Sequence, residues 1–437
     1  MKKNKNAIVI GGGLAGVEAA RQLSKAGIKV TLYEMKPTKF SAAHKNADLA
    51  ELVCSNSLKA ERIGSAAGLL KAEMEYFGSL TLECAKLSKV PAGGALAVNR
   101  DEFARLVTEK IEADENITVI REEVTKIPDA DAVIIAAGPL VSFSLAEEIG
   151  KLCGKEFLSF FDAAAPIITF DSIDMTKAFT QSRYDRGGED DYINCPMNKA
   201  EYDAFHDALI NAESADLHEI DKQKGVYEGC MPIEVLASRG RDAIRFGPMK
   251  PVGLRDPNTG HRPWAVLQLR KENKEGTMYN MVGFQTNLKF AEQKRVFSMI
   301  SGLENAEFVR YGVMHRNTFI DSPRLLNNDF SFRTKPNLFF AGQITGVEGY
   351  MESAASGIMA GYNAAAMLNN TPKLKLENIT MMGALANYIS DPDIKDFQPM
   401  GAAMGLLPPL SEKIRDKKER YEQIAKRSLD YLTKVIL

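Results

Sequence analysis

The sequence predicts an α/β chain: a discontinuous, Rossmann-type dinucleotide-binding domain interrupted by an inserted α+β domain. Three stretches carry that prediction. Residues 7–34 spell apolar strand, glycine turn, helix, strand and acid. Ala132-Val133-Ile134-Ile135-Ala136-Ala137-Gly138-Pro139 is a second apolar run that ends in a glycine turn, and Asn337-Leu338-Phe339-Phe340-Ala341-Gly342-Gln343 is a third. Between the last two the pattern does not recur.

In the first stretch, Ala7-Ile8-Val9-Ile10 is the strand and Gly11-Gly12-Gly13-Leu14-Ala15-Gly16 the turn. Gly11 permits the tight turn, Gly13 lets the backbone approach a pyrophosphate, and Gly16 lets helix and strand pack closely. Val17, Ala20, Leu23 and Ala26 recur at helical spacing. The free N–H groups of that helix start attract phosphate. A second strand, Lys29–Tyr33, stops at Glu34, where a carboxylate accepts from both ribose hydroxyls. This unit alone leaves FAD and NAD(P) both open, and glycines alone also serve loops.

Bulk properties bound the rest. At 437 residues the chain holds two domains or one elaborated one, and 45% hydrophobic with 26% charged residues is an ordinary globular balance. A net charge of −2 gives no global signal for nucleic acid, although a local patch remains possible. Met1-Lys2-Lys3-Asn4-Lys5 is basic, but the apolar run after it is too short for a signal peptide, and no stretch approaches the ~18 apolar residues of a membrane span. The expectation is a cytoplasmic chain without a membrane partner. Five cysteines without C-x-x-C and five histidines without H-x-x-x-H predict no metal site.

Along the chain, helical spacing predicts a helix over about 64–77, and Asn99 opens another whose apolar face is Phe103, Leu106, Val107 and Ile111. Ile117-Thr118-Val119-Ile120 reads as a strand. Composition shifts after Cys153, with short strand-like runs at 167–170, 265–269 and 279–284. The expected division is 1–155 for the first part of the nucleotide domain, 156–330 for the insertion, and 331–437 for the second part with C-terminal helices. The tail, 411–434, reads as a surface helix with a solvated basic face, with RNA contact as the other reading.

The second and third glycine turns resemble the two-part FAD domain of glutathione-reductase-like flavoproteins. After Gly342 come Gly346-Val347-Glu348-Gly349-Tyr350 and a small-residue helix, Ser353 to Leu368. In that class this helix start faces the flavin. Gln343 stands where the usual motif has Asp. Three such elements and no second G-x-G-x-x-G favour FAD as the tightly held dinucleotide, with NAD(P)H visiting. The cofactor-binding candidates are Gly11, Gly12, Gly13, Leu14, Ala15, Gly16, Glu34, Gly138, Gly342, Gln343, Glu348 and Gly349.

Two cysteines have settings suited to chemistry. Cys54 lies among Ser55, Asn56 and Ser57, whose donors stabilise a thiolate. Cys230 is flanked by Gly229 and by Pro232, as in a loop. A buried packing role is the alternative for either. Residues 239–274 carry nine basic residues (Arg239, Arg241, Arg245, Lys250, Arg255, Arg262, Arg270, Lys271, Lys274) against three acids, interleaved with Phe246, His261 and Trp264. Phosphate binding with base or pterin stacking is one reading, a solvated loop the other.

Glu51-Leu52-Val53-Cys54-Ser55-Asn56-Ser57-Leu58, Tyr227-Glu228-Gly229-Cys230-Met231-Pro232-Ile233-Glu234, Arg245-Phe246-Gly247-Pro248-Met249-Lys250-Pro251-Val252-Gly253-Leu254 and Gly342-Gln343-Ile344-Thr345-Gly346-Val347-Glu348-Gly349-Tyr350 resemble motifs of the folate/FAD-dependent RNA (tRNA) uracil-5 methyltransferases, relatives of GidA-type flavoproteins. The likeness runs from about Ala7 to Leu368, and Gln343 matches it. It implies C5 methylation of a tRNA T-loop uridine, with 5,10-methylenetetrahydrofolate giving the carbon, reduced FAD the electrons, and NAD(P)H regenerating the flavin. Cys54 would be the nucleophile that adds to C6, and Cys230 the base for the C5 proton. Arg239, Arg241, Arg245, Lys250, His261 and Trp264 become candidates for RNA or folate. Ribosomal RNA as substrate, GidA-like wobble-uridine modification and a non-catalytic flavin-bound RNA-binding protein are the alternatives.

Overall fold

The computed structural model describes residues 5–41, 43–154, 157–163, 165–185, 191–215, 231–273, 276–312, 314–395, 397–412 and 414–436. Among the described residues, seventeen strands form four sheets. The first sheet has the order β16-β17-β7-β1-β2-β6, made of β1 (Asn6–Ile10), β2 (Lys29–Tyr33), β6 (Ile117–Ile120), β7 (Ala132–Ile135), β16 (Ser331–Phe332) and β17 (Lys335–Phe340). Its strands run parallel except β16, which pairs antiparallel with β17. All four residues of β7 are buried, as a central parallel strand covered on both faces requires.

A second six-stranded sheet is antiparallel, in the order β10-β11-β12-β13-β9-β14. It comprises β9 (Ile167–Thr169), β10 (Phe179–Thr180), β11 (Tyr192–Met197), β12 (Ala265–Lys271), β13 (Met278–Met281) and β14 (Phe308–Arg310). The chain passes between the two large sheets through a paired ribbon, β8 (Phe157–Ala163) with β15 (Met314–Ile320). A small sheet, β3 (Ser57–Ala60), β5 (Ala95–Val98) and β4 (Lys89–Val90), lies next after the first nucleotide unit. Buried apolar residues form two large clusters. One draws on residues 7–153 and again on 319–432; the other spans 168–306.

The small residues of the helix Tyr350–Asn369 have a packing cause. It crosses the helix Leu14–Lys25 so closely that a Cβ on Gly357 would fall 2.1 Å from the Ala15 carbonyl oxygen, and one on Gly361 2.6 Å from that of Ala19. This contact ties the late segment to the first glycine turn. The tail helix, Lys417–Ile436, docks by one face (Ile424, Ala425, Ser428, Leu432) rather than lying free. Ser428 Oγ donates to the fully buried Glu73 at 2.6 Å, and the N–H groups of Met381 and Met382 donate to the same carboxylate at 2.7 and 2.8 Å.

Candidate active site

The three glycine turns meet at one cleft of about 1110 Å³, lined by Gly11–Ala15, Glu34, Ala136–Pro139, Gly342, Gln343 and Tyr350. Gly11 has φ +104°, and a Cβ there would sit 2.5 Å from the Ala136 carbonyl oxygen. A Cβ on Gly16 would fall 1.8 Å from the Gly11 carbonyl oxygen, so the turn and helix meet backbone to backbone. Gly13 is the opposite case: nothing lies within 4 Å of its Cβ position, and no side chain caps the helix that follows. The first-turn N–H groups therefore face an open cradle, as a pyrophosphate needs. Glu34, nearly buried, accepts from the N–H of Gly12 at 3.0 Å and of Lys36 at 2.9 Å.

Gly138 lies on the cleft with φ +68°. Gly342 has φ +83° and donates its N–H to Ser356 Oγ at 2.7 Å. The Gln343 amide donates to both oxygens of the buried Glu348, at 2.8 and 2.7 Å. The amide in the aspartate position thus has a partner an aspartate would repel. Gly349 (φ +123°) leads into the helix Tyr350–Asn369, which also lacks a side-chain cap. Two uncapped helix starts, an open glycine cradle and the Glu34 carboxylate suit a dinucleotide diphosphate and ribose. Of the sequence candidates for FAD, Gly11, Gly12, Gly13, Leu14, Ala15, Glu34, Gly138, Gly342 and Gln343 line this cleft, whereas Gly16, Glu348 and Gly349 do not.

Cys54, half-buried, follows Val53, which lines this cleft. Its N–H donates to the Tyr350 hydroxyl at 2.8 Å, and that of Ser55 does so at 3.2 Å. Burial pushes the Tyr350 phenol well above its ordinary value, and the charge of Cys54 pushes the same way. Arg100, first residue of a helix that Asn99 caps (Glu102 N–H to Asn99 Oδ1, 3.2 Å), donates to the carbonyls of Leu52 at 2.9 Å and Val53 at 3.3 Å. Arg100 also pairs with the buried Glu272. From β12, Arg270 donates to Asn56 Oδ1 and to Ser55 Oγ, each at 2.9 Å. Burial first, then the like charge of Arg100, pushes the Arg310 guanidinium down to about 10. Its Nε and Nη2 find no hydrogen-bond partner among the described residues.

Cys84, Cys153 and Cys195 are buried. Burial raises the first two thiols to about 12 and the third beyond that, which leaves them inert as nucleophiles. Cys230 and Lys274 lie outside the described residues. Among the described residues no group of three His, Cys, Asp or Glu could hold a metal, and no helix is long and apolar enough to cross a membrane.

The basic segment is surface. Arg239 and His261 are exposed and Lys250 is half-exposed. Arg241 pairs with Asp203 at 3.3 Å and Asp207 at 2.6 Å. The Arg245 guanidinium lies 3.8 Å over the Trp264 ring, and its Nε donates to the Trp264 carbonyl at 3.0 Å. One face of Trp264 is therefore already covered. Arg270, counted with this segment in the sequence, is instead buried at the Cys54 loop. Tyr350, Arg100 and Arg270 are the residues that sequence reasoning did not single out. Tyr350 stood inside a quoted motif, so a signal existed for it.

A discontinuous dinucleotide cleft, with a half-buried cysteine bonded to its Tyr350, defines a flavoprotein-type enzyme fold. The chain belongs to the family described as glucose inhibited division protein A, whose model matches residues 6–372. It is 56% identical over 428 residues, 98% of each chain, to an Acetivibrio thermocellus protein named methylenetetrahydrofolate--tRNA-(uracil-5-)-methyltransferase TrmFO. A Pelotomaculum thermopropionicum protein of the same name is 57% identical, with 97% of this chain and 96% of that one covered. Aquifex aeolicus GidA has the same fold (TM-score 0.71, 17% identity, all of this chain and 76% of that one).

Proposed function

We propose that this chain methylates uridine at C5 in tRNA, in the T-loop, with 5,10-methylenetetrahydrofolate as carbon donor and FAD, re-reduced by NAD(P)H, as reductant. The observation that carries the reading is Tyr350: it lines the cofactor cleft and accepts from the backbone of Cys54, so nucleophile and cofactor share one wall. The relatives that share more than half of this sequence bear that activity in their name.

When bound, the flavin supplies the two electrons that turn the transferred one-carbon unit into a methyl group. The chain's own groups do the rest. The Cys54 thiolate adds to C6 of the uracil, which places negative charge on the C5 side of the ring and makes that carbon nucleophilic. Arg310, whose Nε and Nη2 have no hydrogen-bond partner among the described residues, suits the pyrimidine oxygen that gains charge in this step. After carbon transfer the C5 proton leaves, with Cys230 as base, and Cys54 departs by elimination. The target base must be flipped out to reach the cleft. Arg239, Arg241, Arg245, Lys250, His261 and Trp264 are proposed for RNA or folate. The two separate apolar clusters support the proposed division at 1–155, 156–330 and 331–437 in outline, although residues 319–330 pack with the first cluster. Action on tRNA supports a cytoplasmic location.

The test is direct. FAD-loaded protein, unmodified tRNA, methylenetetrahydrofolate and NADPH are expected to yield 5-methyluridine, located by mass spectrometry of nuclease fragments. Methyl transfer to ribosomal RNA alone, a different wobble-base product, or no product would overturn the reading.

A further inference from the structure

We propose that the end of strand β12, Arg270-Lys271, with Glu272 just after it, is the device that positions Cys54, with Arg270 its principal positioning residue. The inference rests on Cys54 being the nucleophile.

The geometry is a grip from two sides. On the C-terminal side of Cys54, Arg270 Nε donates to Asn56 Oδ1 and Nη2 to Ser55 Oγ, each at 2.9 Å. Asn56 returns the contact: its Nδ2 donates to the Lys271 carbonyl at 2.8 Å and to Val98 at 3.2 Å. On the N-terminal side, Glu272 pairs with Arg100, and Arg100 donates to the carbonyls of Leu52 and Val53. The N–H groups of Cys54 and Ser55 donate to Tyr350 between these two sides. Three consecutive residues at the end of β12 and just past it thus determine where residues 52, 53, 55 and 56 lie, across sequence separations of 214 and 215 positions for the Arg270 bonds.

The chemistry of the grip points to placement rather than stability. Arg270 and Asn56 are buried, and burial pushes the Arg270 guanidinium below its ordinary value. Its hydrogen bonds to Asn56 and Ser55 go to neutral acceptors, with the Glu272 charge nearby, and a buried charged group so placed gains little over a well-packed apolar side chain. What it adds is direction: a planar fork that fixes two acceptors at once. Nucleophile placement is where such direction matters, because a displacement near 1 Å at the reacting atom lowers rate steeply.

The experiment uses the full FAD-loaded chain and compares wild type with R270A, R270K and S55A. Three quantities are read: bound flavin from its visible spectrum, kcat and KM for tRNA methylation, and the rate of Cys54 alkylation by iodoacetamide, followed by peptide mass spectrometry. R270A is expected to keep its flavin, to lose about 100-fold in kcat with KM within about threefold, and to change the alkylation rate at least about fivefold. Added guanidinium is expected to restore part of the R270A activity, and R270K to fall short of wild type because an ammonium cannot fork. S55A, which removes one acceptor and no buried bulk, is expected to lose about tenfold in kcat. Unchanged kcat and alkylation in R270A and S55A would overturn the proposal. So would loss of flavin or unfolding of R270A together with a wild-type S55A. A wild type that methylates nothing, with Cys54 alkylation still shifted in R270A, would sink the methylation reading and leave the positioning role standing.

Discussion

The Cys54 loop and the segment 239–264 handle charge in opposite ways. No charged residue stands between Leu52 and Leu58, yet Arg100, Arg270, Glu272 and Arg310 converge on this stretch from remote elements and are largely enclosed. In the 239–264 segment charge is dense in sequence, and the structure places it on the surface, where Arg241 meets two aspartates and Arg245 stacks on Trp264. Charge density along a chain therefore marks a surface, while burial marks the groups that fix geometry. Exposed pairs are screened by water and salt, whereas enclosed donors hold their direction.

The largest effect that sharpens this contrast is at Cys54, the proposed nucleophile. Cys54→Ala is expected to lower methylation by about 10³-fold or more while the yellow flavin spectrum persists. Loss of flavin in this variant would make Cys54 a packing residue and dissolve the distinction between the two regions.

Next is the hydroxyl that joins loop to cleft. Tyr350→Phe keeps the ring but leaves the N–H groups of Cys54 and Ser55 without their acceptor. About 1–3 kcal/mol is at stake when buried donors lose a partner, which corresponds to a fall of ~10–100-fold if it appears in the rate. Wild-type kcat in Tyr350→Phe would show that the Arg270 and Arg100 contacts suffice to hold the loop.

A buried carboxylate remote from the cleft provides a control for enclosure itself. Burial raises Glu73 to about 7, against 4.5 in the ordinary range, despite three donors that favour its charge. The folded chain then binds more protons than the unfolded one between these values, so stability is fullest below about 4.5 and falls as pH rises through 7. The shift of 7 − 4.5 corresponds to an upper bound of ~3 kcal/mol at this site. Thermal unfolding from pH 5 to 8 should show this downward slope, and Glu73→Gln should flatten it. An equal slope in the variant would place the pH dependence elsewhere.

Much of the fold was legible because its signals are local. The strand–glycine–helix–strand–acid run at 7–34, the turn at Gly342 and the cap at Asn99 each declare themselves within one window, and the structure has β1, the helix Leu14–Lys25, β2 and the helix start at Arg100 there. The small-residue helix was visible, but its cause, Gly357 and Gly361 against Ala15 and Ala19, joins segments more than 300 positions apart and leaves no local trace. The site divides the same way. Cys54 was found from its neighbours and their resemblance, whereas Tyr350 and Arg270 reach it across separations of 296 and 215 positions. Arg270 was counted among surface cations because a sequence reports charge and not enclosure.

The smallest effect is predicted where charge is densest. Arg241→Ala removes two exposed ion pairs, so its unfolding free energy should change by less than ~1 kcal/mol, read from denaturant titration. On tRNA the same variant, combined with Arg245→Ala, should bind more weakly and reduce the slope of log K against log salt by up to about 2, since each lost phosphate contact is worth ~0.7–0.9. Asp203 and Asp207 compete with phosphate for Arg241, so RNA binding there must exchange partners rather than create a new pair. An unchanged salt slope would mean that these arginines stay with their aspartates and with Trp264 when RNA is bound. The segment would then be a solvated face, and the opposition between enclosed and exposed charge would be complete.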